Sequence, residues 1–192
     1  MDVLNDPEVI VRSEAVDALG VLHYTPAVWA VKALLLNDPD LVRASGAETL
    51  GDLGDASALV ELELALHDAD TAVRGYAANS IGLIGAPPML PTLHSYAEAE
   101  QSPEVKAELY GARYRLGAAC DLNMLLDLLE NADEGLAVNI LNVLNDLSSR
   151  KVPSTLAADA GRIRTVVTTV AQRIPLLSGD AEQLLARLNK SM

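Results

Sequence analysis

Four cations stand at a near-constant interval along this chain. Arg12, Arg43, Arg74 and Lys106 are separated by 31, 31 and 32 residues. Such a row has two chemical uses: it can hold an anion, or it can pair with carboxylates of the chain itself. Other reactive side chains are few and scattered. His23, His67 and His94 occupy different places relative to the cation row, and none makes the i, i+4 pair of a helical zinc site. His67 and His94 meet only if neighbouring helices bring them together. Cys120 is the single cysteine, so no intrachain disulfide forms and no cysteine pair holds a metal. Glu61 and Glu63 are two residues apart, as are Asp68 and Asp70, and that spacing does not share a helix face. No serine or cysteine lies in the sequence context of a nucleophile with histidine and acid. The Gly51/Gly54 and Gly82/Gly85 pairs read as helix ends rather than phosphate loops. The expectation is a protein without catalysis, and with no cofactor or metal.

The elements that carry the cations are repeated with them. Val11-Arg12 through Leu19-Gly20, Val42-Arg43 through Leu50-Gly51, and Val73-Arg74 through Ile81-Gly82 are copies of one segment, with a weaker copy from Val105-Lys106 to Leu116-Gly117. A period of about 31 residues means stacked helix pairs rather than a globule around one core. Each copy opens on a cap. Asp6, Asp38, Asp70 and Ser102 are followed by Pro7, Pro39, Thr71 and Pro103, a helix-start pattern. Glu134-Gly135 marks a degenerate fifth copy. Gly54, Gly85 and Gly117 are expected to close their helices in the left-handed conformation. Ala15, Gly46 and Ala77 form one small-residue column. A partner helix falls between copies, at roughly 26–36, 56–67, 88–99 and 121–131, and 136–147 makes a fifth helix of the motif type. After a loop at 148–155, helices at roughly 156–174 and 179–190 depart from the period. The domain reading is therefore a repeat array over 1–149, which starts mid-repeat and reads as cut from a longer array, and an atypical helical cap over 150–192.

Composition restricts the partners. The chain has 192 residues, 50% hydrophobic but only 3% aromatic with no Phe, so its core must be Leu, Val and Ala. The net charge is −13. Residues 1–149 hold 7 cations and 24 anions, and residues 150–192 hold 7 cations and 3 anions. An acidic array repels phosphate, so nucleic acid is disfavoured and a basic protein is favoured. Acidity also serves solubility or suits a salty cytoplasm. No signal peptide and no uncharged apolar run of 18 residues is present, so no membrane span is expected and the expected location is cytoplasmic.

The pattern Asp-Pro-Glu-(x)-Val-Arg-x-x-Ala-x-x-Ala-Leu-Gly, at 6–20, 38–54 and 70–85 and more loosely at 102–117, resembles the HEAT repeat in its short form, the HEAT-like repeat of phycobilisome lyases. The resemblance covers about 1–147. It implies an all-α fold, a right-handed α-α superhelix or HEAT-like solenoid. It further implies that Asp38 and Asp70 pair with Arg12, Arg43, Arg74 and Lys106 in a structural ladder between units, with Lys106 the weaker member because it lacks the guanidinium fork. In such arrays the motif helix lines the concave face. Its outward positions here are Glu14, Ser45, Tyr76, Glu108 and Asn139 in one column, and Asp17, Glu48, Asn79, Gly111 and Asn142 in the next. A third column is Val21, Asp52, Leu83, Arg115 and Asp146.

The binding surface expected from this register is Glu14, Asp17, Ser45, Glu48, Asp52, Tyr76, Asn79 and Leu83. Tyr110 and Tyr114 either join it or fill space between repeats. Three functions fit. The first is a non-enzymatic protein–protein interaction module or scaffold that holds a partner along its concave face. The second, implied by the resemblance, is a bilin lyase or phycobiliprotein chaperone subunit, for which only Arg113 and Arg115 could meet the pigment's propionates. The third is head-to-tail self-assembly of an acidic front and a basic tail, unless Arg150, Arg162, Arg164 and Arg173 face the chain's own stack.

Overall fold

The computed structural model describes residues 2–149 and 159–190, and these are helical throughout, joined by short turns. After a 3-10 turn at Asp2–Asn5, the helices are α1 (Val9–Val21), α2 (Val28–Asn37), α3 (Asp40–Leu53), α4 (Leu59–Ala65), α5 (Thr71–Ile84), α6 (Leu90–Ala99), α7 (Pro103–Arg115), α8 (Asp121–Asn131), α9 (Glu134–Ser149), α10 (Ala160–Arg173) and α11 (Ser178–Lys190). The repeated segment forms α1, α3, α5, α7 and α9. These pack side by side in sequence order, and α11 extends the row against α9. The intervening helices α2, α4, α6, α8 and α10 form a second layer behind it. The result is an all-α solenoid.

The core lies between the layers. Val16, Leu50, Ile81, Leu109 and Ile140 from the motif row are buried against Leu35, Leu62, Leu93 and Leu125 of the other row. Tyr110 and Tyr114 are buried too, Tyr114 completely, so they fill inter-repeat space and take no part in a binding face.

Small residues bring the motif helices together. A Cβ on Gly82 would stand 2.6 Å from the Cα of Ala112, and one on Gly51 would meet Ser80 at 2.4 Å. The hydroxyls trapped at this seam find partners. Ser13 and Ser45 bond to each other at 2.8 Å, Thr49 donates to the Val16 carbonyl at 3.0 Å, and Ser80 donates to the Ala47 carbonyl at 2.7 Å. Buried hydroxyls without partners would cost stability, so this satisfaction is what permits Ser and Thr here.

Two of the four expected caps form. Asp70 accepts from the amides of Ala72 and Val73, and Ser102 accepts from Val105, with Pro103 first in its helix. Asp6 and Asp38 do not cap: α1 begins after Glu8 and α3 after Pro39, neither with a side-chain cap. Gly54 and Gly117 are left-handed, at φ 71° and 112°. Gly85 is extended instead, because the chain runs on into Ala86, which Pro87 holds extended. The loop expected at 148–155 and the domain boundary at 149/150 fall mostly outside the described residues; 148 and 149 end α9.

Candidate functional site

The cation row ties turns together. Arg12 Nε reaches Asp38 at 3.1 Å and its Nη1 donates to the Asp6 carbonyl at 2.7 Å. Arg43 grips Asp68 through Nε and Nη2 at 2.8 and 2.7 Å, and donates to the Asp38 carbonyl at 2.9 Å. Arg74 grips Glu100 at 2.8 and 3.1 Å and the Asp68 carbonyl at 2.8 Å. Each guanidinium thus holds the turn before its own helix and the acid of the next turn.

The carboxylates are Asp38, Asp68 and Glu100, not Asp38 and Asp70. The acid stands five residues before its arginine at Asp38–Arg43 but six before at Asp68–Arg74, and the 32-residue step drawn from Asp38 passes Asp68 and lands on the cap Asp70. The Arg74 fork holds the Glu100 carboxyl down at about 2, against its burial. At Asp68 burial opposes the charge, but the Arg43 fork and the Asp70 amide outweigh it and lower the carboxyl below its ordinary range. Among the described residues no carboxylate pairs with Lys106, since the place of the next acid is taken by Asn131 and Ala132. There Arg173 closes the stack, donating to the carbonyls of Glu130 and Ala132 at 2.5 and 2.8 Å.

A groove of about 800 Å³ opens on the motif row, across α3, α5, α7 and α9. Glu48 and Asp52 form its α3 wall. Tyr76, Asn79 and Leu83 come from α5, Ser102, Glu104 and Glu108 from the start of α7, and Asn139, Asn142 and Asp146 from α9. Glu14 and Asp17 stand one helix outside it, on α1. Ser45 is displaced from the expected surface: it is buried in the seam with Ser13, because the close approach of α1 and α3 turns that position inward.

Charge dominates the groove. Tyr76 is exposed on one edge, and its hydroxyl is pushed up first by partial burial and then by Glu48, Glu108 and Asp17. Glu108 sits deeper. Loss of solvent raises its carboxyl to about 7; Arg115 and the Asn139 hydrogen bond oppose this, while Asp146 and Glu48 add to it. The Asn139 carboxamide donates to Glu108 at 3.3 Å. Arg115 is already engaged: it donates to Asn79 at 2.9 Å and forms an ion pair with Asp146. Arg113 faces the other layer, 3.1 Å from buried Asp121.

The columns read from the sequence contained Glu108, Asn139 and Asp146, but the acidic first two units drew the expected site towards the N-terminus. The groove centres later, where α7 lies between two helices that wall it. The spatial neighbours of the histidines are elsewhere: His67 bonds Tyr96 at 2.7 Å, and His23 bonds the Asp52 carbonyl at 3.0 Å. No cluster of three or more metal-ligating side chains occurs among the described residues. Nor is any described helix long and apolar enough to cross a membrane.

Residues 60–145 match the family model for HEAT repeats. That segment carries HEAT repeats. Curated proteins yield no significant sequence match to it. Among solved structures, the chain is similar to a chain in the complex of CpcE and CpcF of phycocyanin lyase from Nostoc sp. PCC7120. The match has a TM-score of 0.58 and 18% identity and covers 100% of this chain and 92% of that one. At that identity the likeness is one of fold.

Proposed function

We propose that this HEAT-repeat protein is a non-enzymatic, cytoplasmic interaction module that holds a basic protein partner in the groove across α3, α5, α7 and α9. The observation that carries the reading is the groove itself: a preformed cleft with an exposed tyrosine set among Glu48, Glu108 and Asp17. A rigid surface of this kind binds with little ordering cost, and its field speeds the approach of a cationic partner. Tyrosine is a frequent anchor at such interfaces. The acidic columns extend the attraction over Glu14 and Asp17 towards the N-terminal units.

The test is partner retention. Proteins held by the immobilised chain are identified by mass spectrometry, purified and rebound to wild type and to a Tyr76→Ala, Glu48→Lys double variant. Binding that weakens with salt and is lost in the variant supports the reading. A partner bound equally by both proteins overturns it.

The second reading, a bilin lyase or chaperone subunit, is favoured by the structural likeness to a phycocyanin lyase complex. The arginines available to a pigment's propionates weigh against it. Arg113 is committed to Asp121, and Arg115 to Asp146 and Asn79. A red shift in bilin absorption on adding the purified protein would favour this second reading; an unchanged spectrum would remove it. Self-assembly finds less support, because Arg162 and Arg173 bond to the chain's own α8.

A further inference from the structure

Glu108 and Arg115 lie two turns apart on α7, and of the two only Arg115 is ion-paired among the described residues. The Arg115 guanidinium bridges the helices on either side, taking Asn79 of α5 and Asp146 of α9. At the level of Glu108 the neighbours on α5 and α9 are Tyr76 and Asn139, and among the described residues no ion pair reaches the Glu108 carboxylate. The floor there is short of donors. Glu108 and Asn139 present three acceptor oxygens. The Asn139 amide serves one of them, and the Asn139 Oδ1 is shut from solvent with no hydrogen-bond partner. A buried acceptor without a donor is costly, so the arrangement suits an incoming N–H group. Glu108 and Asn139 both line the groove, and Tyr76 lines it with them.

We propose that Tyr76, Glu108 and Asn139 form a subsite for one arginine side chain of the partner, whose guanidinium lies on the Tyr76 ring and donates to the Glu108–Asn139 pair. This rests on the groove-binding reading above and narrows it to one side-chain chemistry. Arginine fits better than lysine because a planar fork can stack on the ring and serve two acceptors at once, whereas an ammonium is a compact point charge. Within the chain Arg115 likewise serves two acceptors, Asn79 and Asp146. Occupation favours the ionised form of Glu108, which faces Glu48 from α3, Tyr76 from α5, Arg115 on its own helix and Asp146 from α9. Binding therefore strengthens as pH rises through about 7.

The test is a calorimetric titration of wild type and the near-isosteric Glu108→Gln variant with hexa-arginine and hexa-lysine peptides, at pH 6 and pH 8 and low salt. Circular dichroism checks the fold of both proteins. The arginine peptide stays fully charged over this range, so a pH effect belongs to the protein. The expected result is tighter binding of hexa-arginine than of hexa-lysine by wild type. Its affinity should rise several-fold from pH 6 to pH 8. At pH 8 the variant should bind about tenfold more weakly than wild type, roughly the worth of one charge-assisted hydrogen bond, and lose the pH response. Equal hexa-arginine binding by both proteins overturns the subsite and leaves the groove reading standing. No binding of either peptide by wild type overturns both.

Discussion

The proposed arginine subsite sets binding against stability at Glu108. Its carboxyl is raised to about 7 against an ordinary 4.5, so the folded chain takes up a proton that the unfolded chain does not between those values. The sign follows: stability falls as pH rises from about 4.5 to about 7 and stays lower above that range. Glu108→Gln removes the partly buried charge while keeping its shape. We expect it to gain on the order of 2 kcal/mol at pH 8 and nothing at pH 4, read from urea unfolding at the two pH values. A carboxylate that costs stability yet lines an open groove is a candidate functional group. Ser45 shows the converse. It lies in the same column as Glu108, yet its hydroxyl is spent on Ser13, and position in the repeat alone does not separate the two.

At the scale of elements, the seam between motif helices decides where they sit. Gly82 lets α5 touch the backbone of α7, and no side-chain rotation relieves a Cβ placed there. Gly82→Ala should therefore destabilise by about 1–3 kcal/mol through helix separation, despite alanine's better helix propensity. Thermal melting checks it, and a raised midpoint would contradict the packing described. The caps make a second, smaller test. Asp70→Ala should cost about 1 kcal/mol, the usual worth of an N-cap. Asp68→Ala should cost more, because Asp68 also accepts the Arg43 fork and the Asp70 amide. The sequence register ranked Asp70 as the ladder acid, so urea unfolding of the two variants separates the readings directly.

The whole molecule is a line of nearest-neighbour contacts, and its stability is close to a sum over interfaces. The ladder crosses three of them, at Arg12–Asp38, Arg43–Asp68 and Arg74–Glu100. The last rung has a pH signature. Because the folded Glu100 carboxyl lies at about 2, the rung stabilises fully above the ordinary glutamate range and is lost as pH falls from about 4.5 towards 2. Arg74→Ala should lower stability at pH 7 by about 1.5–3 kcal/mol and flatten the acid limb of the stability curve, measured by denaturant unfolding between pH 2 and 7. Sequence alone determined the helix pairs, their order, the all-α solenoid and the acidity of the array. These follow from local periodicity, small-residue columns and charge counts, each written within one or two repeats. Tertiary structure decided which acid each arginine holds, which side of the seam Ser45 faces, that Tyr110 and Tyr114 are core, and that Glu108 lies on the groove floor. The physical reason is common to all four. A one-residue change in a turn shifts the register, and the spacing and tilt of adjacent helices decide whether a position faces its neighbour or the solvent. Neither is encoded within a single repeat.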